Sequence, residues 1–263
     1  MCEPTGVVDY PIAVLVHGSG ALDKDETIYD NKPFAELAHK LALHGIATLR
    51  YDKRTFVYRD LPGFTIHEET IDDALSAIDL ASELSNGPIY VIGHSLGATL
   101  APWIATFTPK LNGIIMMAAA ARSMNELIAE QTDYLLPSNA SQEYKNEQIA
   151  AIKARSPQYF EGEMANHDQV RTAQSLTLPI LVLQGERDYQ VRMTDYYIWQ
   201  QALNEHDYAE FHSYPGLNHL FHQSTSPGIL SSPIEYQETG DIPSQVIEDI
   251  ARFIKSTNNN SNH

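Results

Sequence analysis

The chain has 263 residues, 43% of them hydrophobic and 19% charged, which suits one large α/β domain with a buried core and excludes a disordered segment. Its 34 acidic and 17 basic residues leave a formal net charge of −17, which repels nucleic acid and anionic membranes and excludes both as expected partners. The single cysteine, Cys2, excludes an internal disulfide; with no signal-peptide pattern over residues 1–4 and no apolar run of membrane length, a cytoplasmic location is expected.

Ile12, Ala13, Val14, Leu15 and Val16 form a continuous apolar run, which predicts a strand buried on both faces. It leads into the loop His17-Gly18-Ser19-Gly20. Phe34, Leu37, Ala38, Leu41 and Ala42 recur at helical spacing over residues 33–43, with Gly45 as C-terminal cap. A second strand is expected over residues 46–51. A second amphipathic helix is expected over 70–84, with Ile71, Ala74, Leu75, Ile78 and Ala81 on one face. Ile89, Tyr90, Val91 and Ile92 make a third strand that runs directly into Gly93-His94-Ser95-Leu96-Gly97. That pentapeptide reads G-x-S-x-G, a sharp strand-to-helix turn that lifts a nucleophilic serine above the strand ends. Both glycines have a steric reason: the residues two positions either side of the serine approach each other, and a Cβ there would crowd the turn. A helix is expected over residues 98–105.

Further strands are expected over residues 113–119, 179–183 and 209–214. A closing helix is expected over 242–255, followed by a polar, frayed tail at 258–263. Strands alternating with helices predict an α/β fold with a mostly parallel, doubly wound sheet. Residues 122–175 break that rhythm. They hold no strand-like run and are rich in Glu, Gln, Asn and Ala, with scattered large apolar side chains. We read them as a helical cap over the site, because long insertions in compact domains are usually functional. Tyr134 and Tyr159 are its candidate substrate-binding residues. No repeat or linker divides the chain, so one domain, 1–263, carries the insertion.

A serine nucleophile needs a base, and the base needs a carboxylate to hold its tautomer. Gln184-Gly185-Glu186-Arg187-Asp188 follows the strand at 179–183, on the side where Ser95 emerges. Asp188 is the candidate acid, with Glu186 and Asp195 as rivals. Pro215-Gly216-Leu217-Asn218-His219 follows the last strand, so His219 is the candidate base rather than His212 or His222. An oxyanion hole needs two backbone donors. One is the N–H of Leu96, after the nucleophile. The other comes from the loop after the first strand, where Ser19 is favoured and Gly18 and Gly20 stay open. His17 is then structural, hydrogen-bonded under that loop. No residue set has metal-ligand spacing, so no metal is expected. Asp23, Asp25 and Glu26 near this loop, with Lys53 and Arg54, are either an ion-pair network that fixes it or solvated surface charges of little weight.

Four motifs occur in the order that the α/β-hydrolase superfamily requires: His17-Gly18-Ser19-Gly20, Gly93-His94-Ser95-Leu96-Gly97, Gly185-Glu186-Arg187-Asp188 and Gly216-Leu217-Asn218-His219. The chain resembles that superfamily over essentially its whole length. With Asp23-Lys24-Asp25-Glu26-Thr27, Asn31-Lys32-Pro33-Phe34 and Arg50-Tyr51-Asp52-Lys53-Arg54-Thr55 it resembles, more narrowly, bacterial serine esterases of the dienelactone-hydrolase-like and prolyl-oligopeptidase-like branch. The resemblance implies hydrolysis of small to medium acyl or aromatic esters through an acyl-enzyme, without metal or cofactor. The alternatives are a serine exopeptidase or amidase on the same fold, and a non-catalytic binding protein of that fold.

The chain departs from that family in one respect. Only about eleven residues precede the first strong strand, so the family's first two strands are expected to be missing or at most vestigial. The strand at 46–51 becomes an edge, apolar and free of proline, and such edges pair with other chains. Residues 6–10, residues 55–66 or a second subunit must cover it, and a homodimer is favoured.

Overall fold

The computed structural model describes residues 9–58 and 63–260. Among them six strands form one parallel sheet: β1 (Ile12–Val16), β2 (Ala47–Leu49), β3 (Ile89–His94), β4 (Leu111–Met117), β5 (Ile180–Gly185) and β6 (Ala209–Tyr214). Their order is β2-β1-β3-β4-β5-β6, every neighbouring pair parallel. The chain winds outward from β1 to β2, then returns to place β3 on the other flank of β1. Ligands of open parallel sheets sit at such a reversal, beyond the carboxyl ends of the strands. There Val16 lies in register with Gly93, so the loop after β1 and the turn after β3 are neighbours.

The continuous apolar runs arise because both faces of the sheet are covered. Val14, Val16, Val91, Met116 and Val182 point to one side. They meet α3 (Asp72–Leu84), through Ala74, Ala77, Ile78 and Ala81, and α4 (Leu96–Thr106). Ala13, Leu15, Ile92, Ile115 and Leu183 point to the other side. They meet α1 (Pro33–Ala42), through Phe34, Leu37 and Leu41, and α10 (Ser244–Asn260). The single turn α2 (Arg54–Val57) follows β2.

Between β4 and β5 the chain runs through α5 (Met124–Leu135), α6 (Gln142–Arg155), the short turn Pro157–Tyr159, α7 (Gly162–Asn166) and α8 (Gln169–Gln174). Helix α6 buries no side chain and so stands away from the core. Ala173 of α8 is fully buried and joins the core cluster under α4.

Several elements differ from the sequence reading; β4, for one, runs over Leu111–Met117 rather than 113–119. The edge strand shrinks to Ala47–Leu49, because Arg50 turns aside to pair with Asp25. Leu43, not Gly45, ends α1, and Gly45 takes φ +79° in the turn beyond it. Helix α10 runs on to Asn260, through the start of the expected tail; residues 261–263 lie outside the described set. A helix absent from the reading, α9 (Met193–Ala202), joins β5 to β6. A parallel pair needs such a crossover.

Of the three covers named for the edge strand, residues 6–8 and 59–62 lie outside the described set. Ala47 and Thr48 are nevertheless fully buried within the single chain. Among the described residues, no helix is long and apolar enough to cross a membrane.

Candidate active site

Ser95 sits between β3 and α4 with φ +53° and ψ −115°. This is left-handed backbone that a residue with a Cβ adopts only under strain. The flanking glycines make the turn possible. A Cβ on Gly93 would lie 2.4 Å from the Gly97 carbonyl oxygen, and one on Gly97 would lie 2.2 Å from that of Val16. The Ser95 N–H donates to the Met117 carbonyl at 2.9 Å, so the turn is also tied to β4.

Asp188 and His219 come from the loops after β5 and β6. His219 Nδ1 lies 2.6 Å from Asp188 Oδ2, and both residues are buried. A carboxylate oxygen only accepts, so the proton sits on Nδ1 and Nε2 of the neutral ring is left as an acceptor. Asp188 is itself held in place: Oδ1 accepts from the Gln190 and Val191 amides at 2.7 and 3.1 Å, and Oδ2 also accepts from Gln184 Nε2 at 3.3 Å. His94, next to Ser95, donates from Nε2 to the His219 carbonyl at 2.8 Å. The turn at the serine and the histidine loop therefore touch directly.

The rival residues are engaged elsewhere. Asp195, at the start of α9, accepts from the Ala121 and Arg122 amides and pairs with the Arg122 guanidinium at 2.7 Å. Glu186 accepts from the Ser213 hydroxyl. His222 Nε2 lies 3.4 Å from Glu36, and His212 is near Glu210 on β6.

The loop after β1 is fixed by two buried carboxylates. Glu26 Oε1 accepts from the Gly18 N–H at 2.6 Å. Glu69 Oε1 accepts from the Gly20 N–H at 3.1 Å, and the Tyr159 hydroxyl accepts from the same N–H at 2.8 Å. Both alternatives to Ser19 are thereby occupied. The Ser19 N–H makes no hydrogen bond among the described residues, and Leu96 is the first residue of α4, where no intrahelical acceptor exists.

The acidic and basic residues near this loop do form ion pairs, each with a partner outside the set read in the sequence, and two of these pairs, Lys53–Glu69 and Glu26–His94, are buried on both sides. Lys53 pairs with Glu69 at 3.0 Å, Arg50 with Asp25, Arg54 with Asp73 and Glu26 with His94. Asp23 forms no ion pair among the described residues. It ties the loop locally, accepting from the Thr27 hydroxyl and amide. Glu69 was not anticipated; its only sequence signal is an acid set between Ile66 and Ile71.

The pKa values of two buried histidines move in opposite directions. Both His94 nitrogens face oxygens that only accept: the His219 carbonyl at 2.8 Å and Glu26 Oε2 at 2.9 Å. Burial works to lower its pKa, but Glu26 and the carbonyl outweigh burial and raise it. Burial likewise works to raise the Glu26 carboxyl, and the His94 charge outweighs that to hold it low. His17 lies under the loop with Nε2 at 2.9 Å from the Asp23 carbonyl. Burial depresses its pKa to about 4.

The sign for His17 is definite. Above the ordinary value of 6.5 neither state is protonated and there is no penalty. From there down to about 4 the unfolded chain binds a proton that the folded chain refuses, so stability falls by up to about 3 kcal/mol. His94 has the opposite sense, so the test is a comparison. In urea unfolding from pH 7.5 to 4.5, wild type should lose more stability than His17→Gln, which keeps a donor toward Asp23. Parallel pH curves for the two proteins would refute this.

Ser19, Ser95 and Leu96 open into a cavity of about 230 Å³. Leu127 and Ile128 of α5, Ile152 of α6, Tyr159, Phe160 and Val191 supply most of its apolar wall, and among the described residues no charged side chain lines it. Tyr159 lines the cavity. Tyr134 is not among the lining residues: its ring stacks on Tyr189 and its hydroxyl donates to the Ser231 carbonyl at 2.8 Å.

The chain is 37% identical over 266 residues to Esterase EstD of Thermotoga maritima, covering 95% of this chain and 63% of that protein. The chain thus spans less than two thirds of that relative. The Pyrococcus furiosus esterase Pf2001 has the same fold, with a TM-score of 0.61 at 13% identity, over 95% of this chain and 82% of that one. Est1E from Butyrivibrio proteoclasticus does too, with a TM-score of 0.60 at 15% identity, over 97% and 91%. The model of the alpha/beta hydrolase family matches residues 13–230. With the parallel sheet, the serine turn after β3 and the acid and histidine loops after β5 and β6, that match makes the chain a member of the alpha/beta hydrolase family.

Proposed function

We propose that the protein is a serine carboxylic ester hydrolase acting on small to medium acyl or aromatic esters through an acyl-enzyme intermediate. The observation that carries this reading is the Asp188–His219 pair at 2.6 Å, on a loop that His94 ties to the turn of a strained Ser95, which itself opens into an uncharged cavity. His219 Nε2 takes the Ser95 proton as the hydroxyl attacks the ester carbonyl. The Ser19 and Leu96 N–H groups receive the oxyanion, and Asp188 stabilises the imidazolium. The imidazolium protonates the departing alcohol; His219 then activates water to release the acid. The relative named Esterase EstD supports the chemistry, and Est1E, also solved with ferulic acid bound, supports aromatic acids among the substrates.

The exopeptidase reading is weaker, because the cavity wall offers no charge to anchor a peptide terminus. A graded series of nitrophenyl esters beside aminoacyl anilides tests the choice: turnover of the esters is expected, and turnover of the anilides alone would overturn it. Phe160→Ala should lower kcat/KM for long-chain or aromatic esters about tenfold and for the acetate about twofold at most, the scale of a lost apolar contact. Equal losses on both would remove the cap residues from specificity.

A further inference from the structure

The peptide unit that carries the Ser19 N–H also carries the Gly18 carbonyl. The two point in opposite directions, because the unit is planar and trans. Lys53 Nζ donates to that carbonyl oxygen at 3.0 Å from the buried side. A carbonyl drawn inward turns the N–H of the same unit outward, and Ser19 lines the cavity. The next peptide unit is held as well, since the Gly20 N–H is shared between Glu69 and the Tyr159 hydroxyl.

Glu69 joins these contacts. It is 1% exposed, on the turn His67–Ile71 ahead of α3. Its Oε1 accepts from Lys53 Nζ at 3.0 Å and from the Tyr159 hydroxyl at 2.5 Å, and its Oε2 accepts from Gln158 Nε2 at 2.8 Å. Gln158 and Tyr159 belong to the insertion between β4 and β5; Lys53 and Glu69 belong to the sheet domain beneath. Burial, then the Glu69 charge, push the Tyr159 phenol above its usual value, so its O–H remains a donor.

Resting on the hydrolase reading above, we propose that Lys53 and Glu69 are positioning residues that aim the Ser19 N–H at the oxyanion, and that Tyr159 makes this aim depend on a seated cap. Tyr159 then both walls the cavity with its ring and, through its hydroxyl, reports cap closure to the oxyanion loop. A substrate that seats the cap acquires a complete oxyanion hole.

Two variants test this. Tyr159→Phe keeps the ring and removes the hydroxyl, leaving the Lys53–Glu69 pair intact. Lys53→Met combined with Glu69→Gln removes the pair without stranding a buried charge. The readouts are kcat and KM on nitrophenyl butyrate, affinity for a trifluoromethyl ketone that becomes tetrahedral on Ser95, and the rate of Ser95 phosphonylation by a fluorophosphonate. Loss of a whole oxyanion donor costs ~10²–10³-fold, so a misaimed one in Tyr159→Phe should cost about tenfold. That loss is expected in kcat, ketone affinity and phosphonylation alike, with KM within about twofold. The double variant should lose about a hundredfold; should it fail to fold, Tyr159→Phe decides alone.

A rise in KM with unchanged phosphonylation would make Tyr159 a substrate wall only and overturn the proposal. So would a lower melting temperature with unchanged rates. The hydrolase reading is separable. If wild type is phosphonylated at Ser95 yet turns over no ester, that reading falls and the labelling rates still decide the positioning role. A wild-type Ser95 that cannot be labelled overturns both.

Discussion

Ser95→Ala is expected to abolish ester hydrolysis, lowering kcat by ~10⁴–10⁶-fold, because the attacking oxygen is gone and only binding and the two backbone donors remain. The fold should not change. Ser95 is partly exposed at the cavity and its structural tie is made by its backbone N–H to Met117. Alanine keeps that bond and meets the same positive φ, so the melting temperature should stay within about 2 °C. Turnover by purified, folded Ser95→Ala above the background of the reagents would remove Ser95 as nucleophile. Loss of activity with loss of fold would remove the evidence for it, and circular dichroism of the same sample separates the two cases.

Asp188→Asn should be nearly as damaging, about 10⁴-fold in kcat, although it changes one atom and no shape. Two backbone amides, from Gln190 and Val191, donate to Oδ1. The asparagine must place its carbonyl oxygen there, since an NH₂ would face two donors. Its NH₂ is then left toward His219 Nδ1, where Asp188 Oδ2 stood at 2.6 Å. That ring nitrogen must become the acceptor, which puts the imidazole proton on Nε2 and leaves nothing to receive the Ser95 proton. The expected signature is a fall in kcat with nearly unchanged ground-state binding. Activity within tenfold of wild type would mean that His219 is not oriented through Asp188.

The two predictions use different parts of what could be read in the chain. Ser95, with its flanking glycines, was legible because a G-x-S-x-G turn after an apolar run is a local steric solution. Its residues lie within five positions of one another, and the clash distances at Gly93 and Gly97 are the ones such a turn implies. The same holds for β1, whose five consecutive apolar residues have no solvent face. Helix α1 is of this kind too, with its apolar positions at intervals of three and four. Helix α9 was missed because its outward side is rich in Thr, Gln and Tyr. Asp195, Tyr196 and Trp199 are its buried face, which no apolar periodicity announces.

Which acid pairs with His219, and which amide is left open, were settled by distance in space. Glu186, Asp188 and Asp195 lie within nine positions of one another, and each suited the order acid then histidine. The structure gives Glu186 to Ser213, Asp195 to Arg122 and Asp188 to His219. Gly18, Ser19 and Gly20 were equally placed in sequence. Glu26, eight residues on, and Glu69, 49 residues from Gly20, occupy the outer two. Tyr134 and Tyr159 looked alike as cap tyrosines, yet one stacks on Tyr189 and the other reaches Gly20 across 139 residues. The sheet, its parallel winding and the turn at Ser95 follow from the chain alone, because local sterics and the burial of contiguous apolar runs act over a few neighbours. The partners of each charge and amide emerge from the packed fold, because a buried polar group must be satisfied by whatever donor or acceptor the fold brings to it.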